Sequence, residues 1–412
     1  MTLDYQSFLS AEALSMKPNA IRALAHLVNR PGITSFAGGV PSPETFPFEE
    51  LGDITAHLIR DRGTTSLQYQ PTRGNRDLIN YLVEYLRRKG VSDAAPEHVL
   101  ITAGAQQGLD LVARILLNPG DVALVVIPSY IGGLAALNNA QAQIFGSREE
   151  ADGLNLAAFE AELTRLKTAG TPVKLVYSIP NFQNPSGVTM SDAKRDGLIE
   201  LASKYNFLIV EDDPYGELYF DAAAPPPASL KSRDREGRVI YLGSFSKVLT
   251  PGLRVAWMVA PAALTAKFEL CLETAALCGG VLDQSIVAEV CQRGLVESRL
   301  PQLREFYGTR CRAMLESLDA FATPDMQWTR PTGGLFVWVE AALHVDAEAL
   351  LPHMVERGVA YVPGRPFCID GSGKNTLRLA FSKESPEKIR AGMETLLKGI
   401  STLTALAPAL GA

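Results

Sequence analysis

An α/β fold built on a mostly parallel sheet is what the 412 residues predict. Three observations carry that expectation. Short runs rich in Val, Ile and Leu recur without strict alternation, which suits strands buried on both faces. Helix-period segments lie between them, and strands joined by helical crossovers give a doubly wound sheet. Hydrophobic residues are 47% and charged residues 20% of the chain. That apolar content offsets the entropy of ordering, so a wholly disordered protein is excluded.

The β-like runs, in order, are HVLITAG (98–104), DVALVVIP (121–128), VKLVYSIP (173–180), NFLIVED (206–212), RVIYLGS (238–244) and LRVAWMVA (253–260). AQQGLDLVARILL (105–117) and MSDAKRDGLIELASKY (190–205) read as helices between them. The longest uncharged stretch, Val122 to Ser147, contains Pro128, Gly132, Gly133 and several amides. It reads as a buried strand, a loop and a helix, not as a membrane span. AAAPPPAS (222–229) reads as a surface loop. A long helical region follows over 283–320, then short strands in GGLFVWVE (333–340), GVAYVPG (358–364) and NTLRLAF (375–381). The helix SPEKIRAGMETLLKGI (385–400) closes the pattern. At ~150 residues per domain the length allows two to three domains. The expected division is an N-terminal arm and helix with part of a small domain over 1–45, a large α/β domain over 46–285, and a smaller α+β domain over 286–412.

Composition narrows the function. Lys+Arg number 39 and Asp+Glu 45, for a net charge of −6 without a long basic run. General nucleic-acid binding is therefore not expected, although a local basic site for an anion is compatible. Cys271, Cys278, Cys291, Cys311 and Cys368 form no CxxC pair and no Cys/His cluster of zinc spacing. No metal site or disulfide scaffold is expected, and a reducing, cytoplasmic compartment fits. The first twenty residues lack the basic and apolar regions of a secretory signal.

Four segments carry chemistry, each at the end of an expected strand, where α/β proteins place ligands. GSFSKVLTPGLRVAW (243–257) offers Ser244, Ser246, Lys247 and Arg254. A lysine in a Ser-rich loop is ordinarily a solvated charge. Here two hydroxyls and a guanidinium beside it make a dianion site. NFLIVEDDPYGELYF (206–220) places Asp212 and Asp213 directly after an apolar strand, with Tyr215 three residues beyond Asp212. Such acids are either turn residues or partners of a buried cation. SIPNFQNPSGVTM (178–190) marks a tight turn at Asn184-Pro185. ITAGAQQGLD (101–110) is a strand–turn–helix junction whose free N–H groups suit an anion. No GxGxxG or GxxxxGK[ST] occurs there, so neither a Rossmann dinucleotide site nor a P-loop is supported. An amine, a carboxylate, a phosphate cradle and neutral donors together match what pyridoxal 5′-phosphate requires.

The chain resembles the fold-type I pyridoxal-phosphate-dependent aminotransferases of class I/II. Within them it is similar to the 2-aminoadipate (LysN-type) and kynurenine/aminoadipate branch. The likeness runs through IRALAHLVNRPGITSFAGGVPSPETFP, LQYQPTRGNRDL, TAGAQQGLDLV, IPSY, IPNFQNPSG, VEDDPYGELYF, YLGSFSKVLTPGLRVAW, PTGGLFVWVE and NTLRLAF, nearly the whole chain. The resemblance implies a large domain with a mostly parallel sheet flanked by helices, a smaller α+β domain, and ping-pong transfer of an amino group from an α-amino acid to a 2-oxo acid such as 2-oxoglutarate. It implies that Lys247 bonds the cofactor and shuttles the substrate proton, and that Asp212 pairs with the ring nitrogen. Tyr215 and Asn184 would donate to the ring oxygen, and Tyr130 would stack on the ring or remain a core tyrosine. Ser244, Ser246 and Arg254, with the backbone at Gly104, Ala105 and Gln106, would hold the phosphate. Relatives commonly carry Ser where this chain has Ala105, so one hydroxyl donor is missing. Tyr69 would reach the phosphate of the other subunit in a homodimer with shared sites. Arg378 would hold the substrate α-carboxylate, helped by Asn184 and the backbone near Gly39. Arg22 either meets the distal carboxylate of acidic substrates or faces solvent on its helix. His26 and His353 read as structural or surface residues.

Two other functions stand beside this one. The same cofactor and residues serve decarboxylation, elimination or cyclisation. A transcription regulator with an aminotransferase-like domain is disfavoured, because no winged-helix-sized region or basic recognition helix precedes Ile33.

Overall fold

Residues 3–16 and 32–406 are described by the structure, a computed structural model. Fourteen strands occur among them: β1 (Thr34–Ser35), β2 (Val99–Thr102), β3 (Val122–Ile127), β4 (Gln143–Glu150), β5 (Gly153–Leu154), β6 (Val173–Ser178), β7 (Leu208–Asp213), β8 (Val239–Ser244), β9 (Ala256–Val259), β10 (Gln327–Trp328), β11 (Phe336–Glu340), β12 (Val359–Ala360), β13 (Val362–Pro363) and β14 (Thr376–Ala380).

Eight of them form one sheet in the order β2-β9-β8-β7-β6-β3-β4-β5. The pairs β8–β7, β7–β6, β6–β3 and β3–β4 are parallel. The physical reason for the missing alternation lies in the layers. Val122, Leu124 and Val126 of β3 pack with Phe159, Leu163, Leu198 and Leu201 in one cluster. Ala123 and Val125 belong to the other cluster, on the opposite face. Both faces are dry, so every position is apolar. Crossovers are supplied by helices such as Ala105–Leu116, Leu156–Thr168 and Asp192–Tyr205. From β3 the chain moves outward to β4, then returns to β6 on the other flank of β3. Ligands sit at such a reversal, outside the carboxyl ends of the strands.

Three expectations are corrected. The stretch 122–147 was expected to hold one strand, yet Gln143–Glu150 forms β4 beside β3. Its sequence QIFGSREE ends in three charged residues and is only partly buried, so hydropathy hides it. The run 253–260 contributes β9, which is antiparallel to both β2 and β8. The helical region 283–320 is two helices, Val281–Gln292 and Leu295–Phe321, separated where Gly294 adopts φ 67°. A left-handed residue there is tolerated because glycine has no Cβ.

The carboxyl-terminal third adds a four-stranded sheet in the order β10-β11-β14-β13, antiparallel throughout. β1 pairs in parallel with β12. The backbone of Phe36 donates to Ala360 at 2.8 Å and accepts from Ala380 at 2.8 Å. That bridging sets Ala37 and Gly39 beside the middle of β14, where Arg378 lies opposite Trp338 and Val362. No helix among the described residues is long and apolar enough to cross a membrane.

Candidate active site

The ends of β6, β7 and β8 bring an acid and an amine together. Asp212, near the end of β7, is 3% exposed. Its Oδ2 accepts a hydrogen bond from the Tyr177 hydroxyl of β6 at 2.9 Å. Its Oδ1 is buried without a partner. Burial raises the carboxyl to about 7, the Tyr177 bond opposing. In this chain alone the cation that would draw the proton off is the Lys247 ammonium, and burial outweighs it. Asp213 has other partners: it accepts from Asn181 Nδ2 at 2.9 Å, from the Gly216 amide at 3.0 Å and from Tyr241 at 3.1 Å. It is thereby a turn acid.

Lys247 lies in the turn after β8, and its Nζ donates to the Gly39 carbonyl at 3.1 Å. Burial, then the guanidinium groups of Arg378 and Arg254, lower its amine to about 8, against the pull of Asp212. A lysine poised near neutrality serves as nucleophile and as proton carrier.

Arg378 is 3% exposed and faces the same space. Its Nη1 donates to Asn184 Oδ1 at 3.0 Å and its Nη2 to the Ala37 carbonyl at 2.8 Å. Its Nε is buried and unpartnered. The guanidinium lies over the Phe336 and Phe367 rings, 4.5 and 5.1 Å from their centroids. The Asn184 amide lies beside the Tyr215 hydroxyl. Tyr215 packs edge-on against Phe336 at 5.9 Å. Gly39 is required at its place because an added Cβ would enter the Phe336 ring.

On the other flank, Gly104 opens the helix Ala105–Leu116 at φ 87°. A Cβ there would collide with the Arg254 guanidinium, which donates to the Ala103 carbonyl at 3.2 Å. Arg254 therefore lies across a helix start whose N–H groups at Ala105 and Gln106 are free of helical partners. The Gln106 side-chain NH2 donates one of its two N–H bonds to the Gly132 carbonyl at 2.8 Å, which fixes that side chain beside the helix start. Ser244 Oγ accepts from the Ser246 amide at 3.1 Å, and both serines are buried. Tyr130 stands at the N-terminus of the helix Ile131–Asn139, partly buried, within the field of Asp212 and Arg378. Tyr69 is 75% exposed on this chain's surface. Arg22 and His26 lie outside the described residues.

Phe336, Phe367, Gly133 and Tyr177 were missed by sequence reasoning. A tyrosine inside a strand buried on both faces was the available signal for the last, since its hydroxyl needs a partner.

The donor set can be tested against a cofactor. A protonated ring nitrogen needs an acid with a free oxygen, and Asp212 Oδ1 is one. An aldehyde needs a readily deprotonated amine, and Lys247 is one. A phosphate dianion needs free N–H groups and a guanidinium, which the Gly104–Arg254 pair of elements provides. These residues fit pyridoxal 5′-phosphate, and fold and site together define a pyridoxal-phosphate enzyme.

Residues 44–396 match the family model of aminotransferase class I and II. The chain is 40% identical over 399 residues to an aromatic-amino-acid aminotransferase of Thermococcus litoralis, covering 97% of this chain and 95% of that one. It is 40% identical over 394 residues to the 2-aminoadipate transaminase of Thermus thermophilus, covering 95% and 96%. The crystal structure of Pyrococcus horikoshii kynurenine aminotransferase in complex with PMP, KYN and KYA matches with TM-score 0.93 and 40% identity, over 97% and 98% of the two chains. The chain belongs to the class I and II aminotransferases and is a pyridoxal-phosphate-dependent transaminase of fold type I.

Proposed function

We propose that the enzyme takes amino groups from aromatic amino acids and 2-aminoadipate and passes them to a 2-oxo acid, 2-oxoglutarate foremost. The observation that carries this reading is the buried Arg378 fork, with a free Nε, on the same space as Lys247 and Asp212. A bidentate guanidinium is the group that recognises an α-carboxylate. Two relatives at 40% identity bear the names of aromatic and 2-aminoadipate aminotransferases, which supports both donor classes.

The positions support one role for each residue. Bound, the cofactor supplies the electron sink for charge left when a substrate Cα loses its proton. Arg378 and Asn184 hold the α-carboxylate and so orient Cα; the chain at Gly39 closes that side. Lys247 Nζ, as the free amine, would take up the Cα proton and carry it as the ammonium. Asp212 Oδ1 would accept from the ring nitrogen, Tyr215 and Asn184 would donate to the ring oxygen, and Tyr130 would stack on the ring. Ser244, Ser246, Arg254 and the amides at Ala105 and Gln106 would hold the phosphate, whereas the Gly104 amide is already given to the Thr102 carbonyl at 2.9 Å. The working unit is a homodimer in the cytoplasm in which Tyr69 reaches the partner's phosphate site. The arm over 1–45 and the segment 286–412 form one small domain against the large domain 46–285.

Ala105→Ser tests the cradle. A hydroxyl restored at the helix start should tighten cofactor binding about two- to tenfold, the worth of one added hydrogen bond. Equilibrium dialysis reads it, and an unchanged affinity removes that position from the phosphate site.

The donor reading is tested by a screen that follows conversion of the bound cofactor to its amino form. Phenylalanine, kynurenine and 2-aminoadipate should each drive it. Arg22→Ala should weaken 2-aminoadipate about tenfold or more and spare phenylalanine, since only the former has a distal charge. Equal losses, or none, would remove Arg22 from substrate recognition.

A further inference from the structure

We infer that Tyr177 is a positioning residue for the reaction, its hydroxyl fixing the Asp212 carboxylate so that the second oxygen faces the cofactor ring. This rests on the proposed role of Asp212 and goes beyond it.

Tyr177 is 2% exposed and stands on β6, one strand over from Asp212 on β7. The strands are parallel neighbours, and both side chains point to the same face of the sheet. The phenol has one proton, and it goes to Asp212 Oδ2 at 2.9 Å. Burial holds that phenol well above its ordinary range, so it remains a donor at any working pH. The two carboxylate oxygens thereby become unequal. One is fixed by the phenol, and the other is buried and unpartnered. A carboxylate turns about its Cβ–Cγ bond unless something stops it, and one hydrogen bond in a packed site does so.

The choice of donor has a consequence. A Lys, Arg or protonated His at this place would orient the acid and also cancel its charge. A neutral phenol orients it and leaves the full negative charge for the ring nitrogen. The other groups facing the carboxylate are Lys247, Tyr130 and Tyr215, from three separate elements, and Asp213 on its own strand.

A second observation is independent of the hydrogen bond. Gly133 lies inside the helix Ile131–Asn139, where glycine is unfavourable. A Cβ at that position would stand 2.9 Å from the Tyr177 hydroxyl and closer still to its ring. The helix that starts at Tyr130 therefore leaves a gap, and the Tyr177 ring fills it. Gly133 is the position that admits the phenol to Asp212.

The test is Tyr177→Phe in the full-length holoenzyme, a change that keeps the ring and removes one oxygen. Loss of a hydrogen bond to a charged group should weaken cofactor binding about tenfold or more. It should also lower kcat about tenfold or more and move the pH midpoint of the bound cofactor's absorbance. KM for the amino donor should stay within about threefold, because Arg378 is untouched. Asp212→Asn serves as the reference, and Tyr177→Phe added to it should cost nothing further. Full cofactor affinity and kcat in Tyr177→Phe, with Asp212→Asn impaired, would overturn the positioning role alone. A lowered melting temperature of the cofactor-free protein with cofactor affinity intact would overturn it too. Full affinity and kcat in Asp212→Asn would instead overturn the role of Asp212.

Discussion

Lys247→Ala is expected to lower turnover at least about 10⁴-fold, because it removes a nucleophile and a proton carrier in one step. The visible absorbance that the lysine gives the bound cofactor should vanish with it. A variant that keeps that absorbance would falsify the assignment of Lys247. The same substitution has a second expected effect, on stability, that runs against intuition for a partly buried residue. The amine's hydrogen-bond partner is the Gly39 carbonyl, and burial beside Arg378 and Arg254 holds it at about 8 in the folded chain. Its ordinary value is 10.5. Between about 8 and 10.5 the unfolded chain binds the proton and the folded chain does not. Stability of the cofactor-free enzyme therefore rises with pH across that window. Below about 8 the folded chain carries the disfavoured ammonium, at a cost on the order of 3 kcal/mol. Lys247→Ala removes that cost, less the packing of the lysine stem. The cofactor-free variant should melt higher than the parent at pH 7, and the advantage should shrink as the pH rises toward 10. Melting curves at both pH values check this, and a pH-independent difference would rule out the desolvated amine.

What the sequence displayed, and what it concealed, follow from how far apart the cooperating residues are. Lys247, Ser244 and Ser246 are neighbours along the chain, as are Asp212 and Tyr215, so their spacing could be read directly. The strands that carry them are buried on both faces, and their apolar runs matched β3, β6, β7 and β8 closely. The direction of β9 was not legible, because hydropathy is the same read either way. β4 escaped because three of its eight residues, Arg148, Glu149 and Glu150, are charged. The pairings that shape the site were beyond local pattern. Arg378 meets Asn184 across 194 positions, and Lys247 meets Gly39 across 208. The Tyr177–Asp212 bond spans 35 positions and was masked by the apolar run around the tyrosine. Gly133 reads as a weak helix residue until the ring beneath it is seen.

Arg378→Ala is expected to reduce kcat/KM for α-amino acids by about 30- to 5000-fold, the range for losing one partner of a buried charge pair. The geometry argues for the upper part of that range. The guanidinium is buried, its Nη atoms are held by Asn184 and Ala37, and two phenyl rings lie against its plane. It is therefore already oriented before substrate arrives, so little entropy is lost on binding. Its Nε has no acceptor, and burial lowers its pKa to about 10, with Tyr215 and Tyr130 opposing. A cation in that condition gains most from an anion brought to it. Arg378→Lys should recover little, because an ammonium offers a point charge where a planar fork is needed. The decisive comparison uses a simple primary amine without a carboxylate. Its slow reaction should change far less than that of the amino acids, by no more than the shift of the Lys247 amine toward its ordinary value on loss of Arg378, and cofactor affinity should hold within about threefold. If both the amine and the amino acids lose rate in parallel, Arg378 acts on the fold or the cofactor and not on the substrate carboxylate.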